Sequence, residues 1–546
     1  MNNYGLALAA LKREEQATAI WERVVEVAPD HVEALYNCGK MRTKQQRFDE
    51  ALRFYDKVLA LQPDHLDALI DQAAALSRLG EFRAAIAGYT KGLAIDARNV
   101  GMLNDRGTAF RELEQFDEAL ADYDRALAID PENIITLNNR GNVLLSLRRA
   151  SAALECYDRA VANQPGHAQS CNNRGAVLGR LGQYEEAFTC FDRALALDPN
   201  LTPALINRGT TLIAINRLPE AIAAFDAALV IDPDSVDAYW NRGVAQLASG
   251  EMRQGWVGYE YRWRKKEFVK HKRTFPVPLW LGDRALRGHT ILLHAEQGLG
   301  DTIQFARYVP LVAQMGAQVI LEVPSALKPL LTPLEGATAI IGRGRPLPTF
   351  DTYCPLMSLP LAFGTEVGSI PARIPYIHAR TDRIGRWRER LAATRSPRVG
   401  IAWAGSDGHA NNHNRSIPLE QFSAIFGASG LGFISLQKQA SETERNALGH
   451  AGVTDLGEEL ADFADTAAVI SLLDLVISVD TCVVHVAGAL AQTVWTLLPF
   501  APDFRWLLER EDSPWYPTMR LFRQPQPKDW DAVLARVRSE LRRRFN

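Results

Sequence analysis

The sequence lacks the features that mark membrane-spanning, secreted and nucleic-acid-binding chains. It holds no apolar run of about 18 residues, which argues against a membrane span. Its N-terminal segment lacks the basic, apolar and small-residue regions of a signal peptide. The formal net charge is −3 over 546 residues, so charge indicates neither nucleic acid nor a membrane surface as a partner. We therefore expect a cytoplasmic protein.

Cysteine is also scarce, with six residues among 546. No two of them form a Cys-x-x-Cys pair, so the sequence predicts no structural zinc site. We also expect no other metal site and no bound cofactor. We expect reduced thiols buried within the fold. The six residues are Cys38, Cys156, Cys171, Cys190, Cys354 and Cys482.

The first half of the chain contains a repeat with a period of about 34 residues, which is typical of tetratricopeptide helix–turn–helix units. Proline ends the second helix of a unit and begins the turn to the next. One such unit cannot bury its apolar face alone, so we expect the units to stack into an α solenoid with a concave groove. The recurring prolines are Pro29, Pro63, Pro131, Pro165, Pro199 and Pro233.

Small and aromatic residues recur with the same period of about 34 residues. We expect the small residue to let the two helices of a unit approach closely, and the aromatic residue to pack against the next unit. The small residues are Gly5, Gly39, Ala73, Gly107, Gly141, Gly175, Gly209 and Gly243. The aromatic residues are Trp21, Tyr55, Tyr89, Tyr123, Tyr157, Phe191, Phe225 and Tyr259.

A polar residue stands two positions before each small residue, on the first helix of its unit. Amides on the concave face can bond to the backbone of an extended peptide, whatever its side chains. The arrangement resembles the repeat groove of the peptide O-linked N-acetylglucosamine transferases. The alternative is that these amides bond to local backbone groups or hold the repeats together. The predicted acceptor groove consists of Asn37, Asn139, Asn173, Asn207 and Asn241.

Two sets of basic residues are predicted to be solvated. An arginine follows the amide in five units, where a groove position is the alternative. A basic linker follows the last unit, where an acidic partner is the alternative. The arginines are Arg106, Arg140, Arg174, Arg208 and Arg242. The linker residues are Lys265, Lys266, Lys270, Lys272 and Arg273.

The last repeat departs from the pattern. Gly255 replaces the usual alanine, and Trp256, Tyr259 and Trp263 form an aromatic stripe on the second helix. We expect this stripe to cap the solenoid against the next domain.

From Thr290 the sequence reads as alternating strands and helices. Residues 291–294 predict a buried strand, 296–302 a glycine-bearing turn, 303–315 a helix and 319–323 the next strand. A strand that runs into a loop is predicted at 398–405, and further strands are predicted at 432–436 and 473–479. We expect two Rossmann-like lobes with a cleft between them. The predicted domains are a repeat superhelix at 1–264, the linker at 265–288, an acceptor-side lobe at 289–385 and a nucleotide-side lobe at 386–546.

The strand at 473–479 ends in Asp480-Thr481, with a helix expected from about residue 483. The N–H groups and dipole of that helix favour an anion such as a diphosphate, and His485 lies about one turn further on. The alternative is an ordinary capped helix.

Two motifs make the resemblance more specific. Gly298-Leu299-Gly300-Asp301, together with Asp480-Thr481 and His485, is similar to the heptosyltransferase family of inverting enzymes with the GT-B fold. The resemblance implies that Asp301 is the general base. It also implies nucleotide-sugar contacts, for which the candidate residues are Gly298, Gly300, Trp403, Arg415, Gln437, Lys438, Asp480, Thr481, Cys482, Val483 and His485.

The chain departs from the family at two positions. Cys482 stands where the family has glycine, and Arg415 stands where it has lysine. The pair His409 and His413 suggests a metal site, but a polar loop is the favoured interpretation. Asp529 and Asp531 are interpreted as capping residues rather than as a metal motif.

The resemblance thus implies a metal-independent glycosyltransferase that uses a nucleotide sugar as its donor. In the first interpretation a peptide or protein acceptor lies in the repeat groove. In the second the acceptor is a glycan or lipid-linked group, and the repeats serve assembly. In the third the transferase domain is degenerate and the chain is a repeat scaffold for protein–protein interaction.

Overall fold

The computed structural model describes residues 1–406, 408, 411–427 and 430–545. They form two compact units, Met1–Arg208 and Gly209–Asn546. The division lies inside a helix of the repeat region, so the second unit contains the last repeats as well as the sheets. The predicted domain boundaries stay predictions.

The first compact unit, Met1–Arg208, consists of antiparallel helix pairs, as the 34-residue period predicts. Each repeat places its small residue on its first helix and its aromatic residue on its second helix. The helices are α1 (Asn2–Ala10), α2 (Glu14–Val27), α3 (Val32–Lys44), α4 (Phe48–Leu61), α5 (Leu66–Arg78), α6 (Phe82–Ile95), α7 (Val100–Glu112), α8 (Phe116–Ile129), α9 (Ile134–Ser146), α10 (Ala150–Asn163), α11 (Ala168–Leu181) and α12 (Tyr184–Leu197). The division between units falls in α13 (Thr202–Ala214), and the same pattern continues in α14 (Leu218–Ile231), α15 (Val236–Ser249) and α16 (Met252–Tyr259).

The glycines allow close helix contact, because most of them lie against the aromatic ring of their own repeat. The sequence instead predicted that this ring packs against the next repeat. A β-carbon added to Gly141 would lie 2.6 Å from the ring of Tyr157, and one added to Gly39 would lie 2.6 Å from Tyr55. Both pairs lie within one unit, so the aromatic ring packs over the glycine of its own unit. The prediction that the ring packs against the next repeat did not include this contact, in which the ring fills the space left by the glycine.

Side chains cap the first helix of most repeats, a signal that the sequence analysis missed. Asn99 Oδ1 accepts a hydrogen bond from the Met102 N–H at 3.0 Å, and Asn133 does the same for Thr136. Such a cap contributes about 1 kcal/mol. The capping residues are His31, His65, Asn99, Asn133, His167 and Ser235.

The first sheet of the second unit has four parallel strands in the order β3-β2-β1-β4. The helix expected over 303–315 is instead two short helices separated by a 3-10 turn at Ala306–Tyr308, because Pro310 is tolerated in the first turn of a new helix but not within a continuous one. The elements are α17 (Lys266–Val269), β1 (Thr290–His294), α18 (Leu299–Phe305), α19 (Val309–Gln314), β2 (Gln318–Val323), α20 (Lys328–Leu331), β3 (Ala337–Gly342), β4 (Thr352–Pro355) and α21 (Leu359–Ala362).

The second sheet has six parallel strands in the order β10-β9-β8-β5-β6-β7. Its central strands β8 and β9 are buried throughout and apolar except for one residue each, Ser478 and Thr496, as expected for a parallel sheet covered on both faces. The elements are α22 (Thr381–Arg390), β5 (Arg398–Ala402), α23 (Asn412–Arg415), α24 (Leu419–Phe422), β6 (Gly432–Ser435), α25 (Glu442–His450), β7 (Thr454–Asp455), α26 (Phe463–Ile470), β8 (Leu475–Val479), α27 (Cys482–Ala489), β9 (Val494–Leu498), β10 (Met519–Arg523) and α28 (Trp530–Phe545).

The predicted fold is therefore confirmed at the level of a helical repeat region followed by an α/β region with parallel sheets. No helix within the described ranges is long and apolar enough to cross a membrane. Five cysteines are buried as thiols and Cys482 is partly buried. Asp529 Oδ1 accepts a hydrogen bond from the Ala532 N–H at 3.1 Å, so its predicted capping role is confirmed.

Candidate functional site

Asp301 lies in the first turn of α18, directly after the carboxyl end of β1. Its Oδ2 accepts a hydrogen bond from the Gly298 N–H at 2.9 Å, and its Oδ1 accepts one from Arg505 Nη2 at 2.7 Å. The side chain is 18% exposed. Both carboxylate oxygens are thus engaged, one by the turn that begins α18 and one by a cation from the loop after β9.

The tip of α27 lies at the carboxyl end of β8. Thr481 is its N-cap residue, and the Thr481 hydroxyl accepts a hydrogen bond from the Val483 N–H at 3.3 Å. Asp480 Oδ2 accepts a hydrogen bond from the Trp506 indole N–H at 2.9 Å. Burial raises the pKa of the Asp480 carboxyl. The predicted cap at the end of this strand is confirmed.

The two helix ends meet directly. A β-carbon added to Gly300 would lie 2.7 Å from His485 Cδ2 and 3.7 Å from the Cys482 Cα. Only glycine fits at this contact without a shift. The Asp301 turn of the first sheet and the α27 tip of the second sheet are therefore neighbours within one cluster, which we call the helix-end cluster: residues 298–301, 480–485 and 503–506.

His485 is buried in this cluster rather than facing solvent. Its Nδ1 lies 3.0 Å from the Tyr516 hydroxyl, and its ring stacks on Trp506 with centroids 5.7 Å apart. Burial, followed by the positive charges of Arg505 and Arg307, holds the pKa of His485 well below its ordinary value. A neutral imidazole in this position joins the two helix ends.

Arg415 approaches the same cluster from the end of the short helix α23, between β5 and β6. A β-carbon on Gly405 would lie 2.5 Å from Arg415 Nη2, so glycine leaves room for the guanidinium. Arg415 Nε is buried and has no hydrogen-bond partner among the residues that the structure describes. Its charge acts on Asp480, Cys482 and His485, in each case lowering the pKa. Burial outweighs this at Cys482 and raises the thiol pKa to about 11.

Three further predicted nucleotide contacts each have a polar side-chain atom bonded within the chain. Gln437 Oε1 accepts from the backbone N–H groups of Trp403 and Ala404, at 3.2 and 3.1 Å. The Trp403 indole N–H donates to Glu444 at 2.9 Å, and the Lys438 amine donates to the Leu460 carbonyl. These residues shape the loops after β5 and β6, and their contact with a nucleotide stays a prediction. His409 lies outside the described residues, so the suggested histidine pair stays untested.

The predicted groove amides interlock neighbouring repeats. Asn139 Nδ2 donates to Asn104 Oδ1, and Asn173 Nδ2 donates to Asn138 Oδ1, each at 2.9 Å. Asn207 repeats the contact with Asn172 at 2.9 Å. The structure therefore gives three of the five amides the repeat-holding role that was the alternative, while peptide binding stays a prediction. The other two, Asn37 and Asn241, lie at the corresponding positions of α3 and α15.

Four of the five arginines also form ion pairs between neighbouring repeats, whereas Arg106 pairs with Asp122 of its own repeat. Arg140 Nε donates to Asp124 at 2.7 Å, and Arg174 Nε donates to Asp158 at 2.6 Å. Each pair links a first helix to the second helix of the preceding unit. These arginines are partly exposed, but they are ion-paired rather than simply solvated. The corresponding pairs are Arg208–Asp192 and Arg242–Asp226.

The last repeat contacts the loop before α18 and the loop after β9, both of which contribute residues to the helix-end cluster. The Trp256 and Tyr259 rings each lie 5.6 Å from the ring of Phe504, and the Tyr259 hydroxyl lies 3.0 Å from Gln297 Nε2. The expectation that the aromatic stripe caps the last repeat against the following domain agrees with these contacts.

Buried charges lie behind the same loop. Arg262 is 0% exposed and pairs with Glu296 at 3.2 Å, and Glu296 Oε1 also accepts from the Met357 N–H. Burial raises the pKa of Glu296 to about 7. From the basic linker, Arg273 pairs with buried Glu322 and Lys265 pairs with Asp237. The linker is therefore partly tied to the fold rather than wholly solvated.

Sequence reasoning missed Arg505 and Trp506. No periodic pattern marks the loop after β9, and β9 and β10 were not predicted. The available signal was the concentration of Arg and aromatic residues at 503–506.

Comparison with known proteins identifies the repeats. Residues 107–147 and 209–250 match a family model described as TPR repeat, and residues 32–65 and 168–201 match one described as Tetratricopeptide repeat. The helical region is a tetratricopeptide-repeat array. The chain is also 27% identical over 320 residues to Protein FlbA of Caulobacter vibrioides, across 54% of this chain and 53% of that protein. It thus spans about half the length of this curated relative.

Solved structures of repeat proteins are similar to part of the chain. A tetratricopeptide repeat protein from Parabacteroides merdae has a TM-score of 0.40 and 19% identity, covering 44% of this chain and 96% of that one. YrrB, described as a TPR protein with an unusual peptide-binding site, has a TM-score of 0.28 and 26% identity, covering 34% and 95%.

Proposed function

We propose that this protein is an inverting, metal-independent glycosyltransferase with two Rossmann-like lobes in a GT-B arrangement. The observation that supports the proposal is the helix-end cluster, in which the Asp301 turn meets the tip of α27. A carboxylate at the end of one parallel sheet faces a capped helix tip at the end of another. Open α/β sheets bind their ligands at this edge, and helix tips attract phosphate groups.

In the proposed reaction, the acceptor hydroxyl oxygen attacks the anomeric carbon of the donor sugar. A new carbon–oxygen bond forms as the bond to the diphosphate oxygen breaks, and the leaving nucleoside diphosphate keeps the electron pair. Asp301 takes the hydroxyl proton. The negative charge on the leaving group is offset by Arg415, Arg505 and the first N–H groups of α27. Arg415 suits this role because its Nε is a buried donor without a hydrogen-bond partner among the described residues.

The proposed acceptor is a peptide or protein bound by the repeats. Tetratricopeptide arrays form extended concave surfaces, and an extended peptide presents backbone groups that amides recognise. The inter-repeat bonds of Asn139, Asn173 and Asn207 use donor N–H groups. The proposal therefore gives these amides two functions, holding neighbouring units and presenting polar groups to the peptide.

A specific observation favours a second candidate, a repeat scaffold that transfers no sugar. Both oxygens of Asp301 are engaged by Gly298 and Arg505, and the matched family models cover repeats alone. In this case the helix-end cluster would be a purely structural junction. The two candidates differ in whether the chain binds a nucleotide sugar at all.

The test begins with a thermal-shift screen of uridine, guanosine and adenosine diphosphate sugars, since a ligand that binds the folded form raises stability. The release of nucleoside diphosphate is then measured for the donor that binds. We expect Asp301→Ala to lower the rate by about 100-fold to 10,000-fold, the contribution of a positioned base. Asp283→Ala, at an exposed surface pair with Arg284, is the matched control. A wild-type rate in Asp301→Ala would remove the proposed mechanism, and failure of every donor to bind would favour the scaffold.

A further inference from the structure

Arg505 stands between the two halves of the helix-end cluster. It lies in the 3-10 turn Phe504–Trp506 after β9, and it is 9% exposed. Its Nη2 donates to Asp301 Oδ1 at 2.7 Å, and its Nε lies 3.1 Å from Asp503 Oδ1. The guanidinium therefore contacts two carboxylates and is largely shielded from solvent.

The ion pair conflicts with the base role under the proposed function. A general base needs a lone pair directed at the proton that it abstracts. Asp301 Oδ1 is bonded to Arg505 and Oδ2 to the Gly298 N–H, which belongs to the turn that begins α18. The Gly298 bond is local to the turn, whereas the Arg505 bond joins two separate loops. Each carboxylate oxygen can accept more than one hydrogen bond, so the Arg505 contact is the one whose opening leaves Oδ1 fully available to the acceptor hydroxyl.

The same guanidinium is close enough to the α27 tip to act on it. Among the charged neighbours of Asp480 and of His485, Arg505 has the largest effect on the pKa of each, after burial. Trp506, the next residue, is already bonded to Asp480. A diphosphate at the tip would present a denser negative charge than one carboxylate, and a guanidinium binds phosphate oxygens through two parallel hydrogen bonds.

The backbone around Arg505 is anchored on one side and strained on the other. Phe504 packs against Trp256 and Tyr259, with centroids 5.6 Å apart in both contacts. Leu507 has φ of 53° and ψ of −168°, in the region that favours glycine. Such a conformation in a branched residue costs about 1–3 kcal/mol and marks places where a chain can exchange between two states.

We propose that Arg505 alternates between two anions: the Asp301 carboxylate in the unliganded protein, and the diphosphate of the donor in the complex. Donor binding thereby releases Asp301 to act as the base, so the carboxylate becomes available only when a sugar is in place. This inference rests on the proposed function and adds to it a residue that couples donor binding to the base.

Binding measurements test the exchange without any transfer reaction. Inorganic pyrophosphate and UDP are titrated calorimetrically into the full-length wild type, Asp301→Asn, Arg505→Gln and the double variant. If Asp301 competes with the ligand for Arg505, Asp301→Asn should bind about tenfold more tightly than wild type, from the coupling typical of close charge pairs. Arg505→Gln should bind about tenfold more weakly.

The double variant separates exchange from simple charge repulsion. With Arg505 absent, removing the Asp301 charge should no longer tighten binding. Equal tightening in both backgrounds, or no tightening by Asp301→Asn in the wild-type background, would overturn the inference while leaving the transferase proposal standing. If wild type binds neither pyrophosphate nor UDP nor any donor from the screen, both proposals fall.

Two controls keep the result interpretable. Asp512→Asn neutralises a carboxylate that pairs with Arg510 in the same loop at 2.6 Å and is 67% exposed, and it should leave binding unchanged. Arg505→Lys keeps the charge but not the fork geometry, and it should bind with intermediate affinity. Far-UV circular dichroism establishes that each variant keeps its helices and strands.

Discussion

Replacing Gly300 with alanine should disrupt the contact on which the helix-end cluster depends. The new β-carbon would lie 2.7 Å from His485 Cδ2 and 3.3 Å from His485 Nε2, about 0.7 Å short of ordinary van der Waals contact. The imidazole cannot simply move aside, because it is bonded to Tyr516 and stacked on Trp506. The helix ends must therefore separate.

The size of the effect follows from this geometry. Overpacking a rigid contact costs about 1–3 kcal/mol, and a displacement of about 1 Å in a binding or catalytic geometry costs about 100-fold in rate. We expect faster hydrogen exchange at residues 299–305 and 482–489 and weaker pyrophosphate binding. Mass spectrometry of proteolytic peptides after deuterium labelling measures the first, and calorimetry the second.

Gly385→Ala on α22 provides the matched control. A β-carbon there meets nothing within 4 Å, so this variant should gain up to about 1 kcal/mol from helix propensity. Unchanged exchange and unchanged binding in Gly300→Ala would refute the argument that α18 and α27 are in rigid contact.

Two further predictions concern stability. His294 is 1% exposed, and burial with the nearby charges of Arg273 and Arg343 lowers its pKa to about 3; because the unfolded residue takes up a proton below about pH 6.5, stability is present above that pH and lost as pH falls towards 3. Wild type should thus lose about 2 kcal/mol more than His294→Phe between pH 7 and pH 5 in urea unfolding, and equal losses would contradict the assignment. Asn173→Ala should cost about 1 kcal/mol by removing the 2.9 Å bond to Asn138, while Glu155→Ala at an exposed position of α10 is the control. An unchanged free energy of unfolding in Asn173→Ala would contradict the interlocking role. If the variant folds but no longer captures peptide, the amide also binds peptide in the groove.

The repeat region could be predicted closely from the sequence because its information is local and periodic. The step fixes where each helix begins, and the glycines mark the sites of close contact. What the period does not reveal is the partner of each side chain. The Tyr157 ring returns to Gly141 of its own unit, and Asn173 reaches Asn138 of the preceding one. Both contacts depend on which residues are neighbours in three dimensions, and the position of a residue within the repeat does not specify this.

The α/β region was only partly predictable. Buried strands such as β1, β5 and β8 stand out as short apolar runs, whereas β9 and β10 were missed. The positions of Asp301 and of the α27 cap followed from motifs at strand ends. Arg505 and Trp506 did not, because their importance arises from contacts with residues that are distant in sequence, 204 and 26 positions away.

The aromatic packing between the last repeat and the two site loops bears on how fragments of this protein are prepared. A shortened chain beginning at the predicted linker, near residue 265, would omit Trp256, Tyr259 and Arg262. The ring of Phe504 and the buried carboxyl of Glu296 would then face water. Inactivity of such a fragment would report lost support beneath the loops rather than the chemistry of the sheets, so truncations intended to isolate that half should begin upstream of Met252.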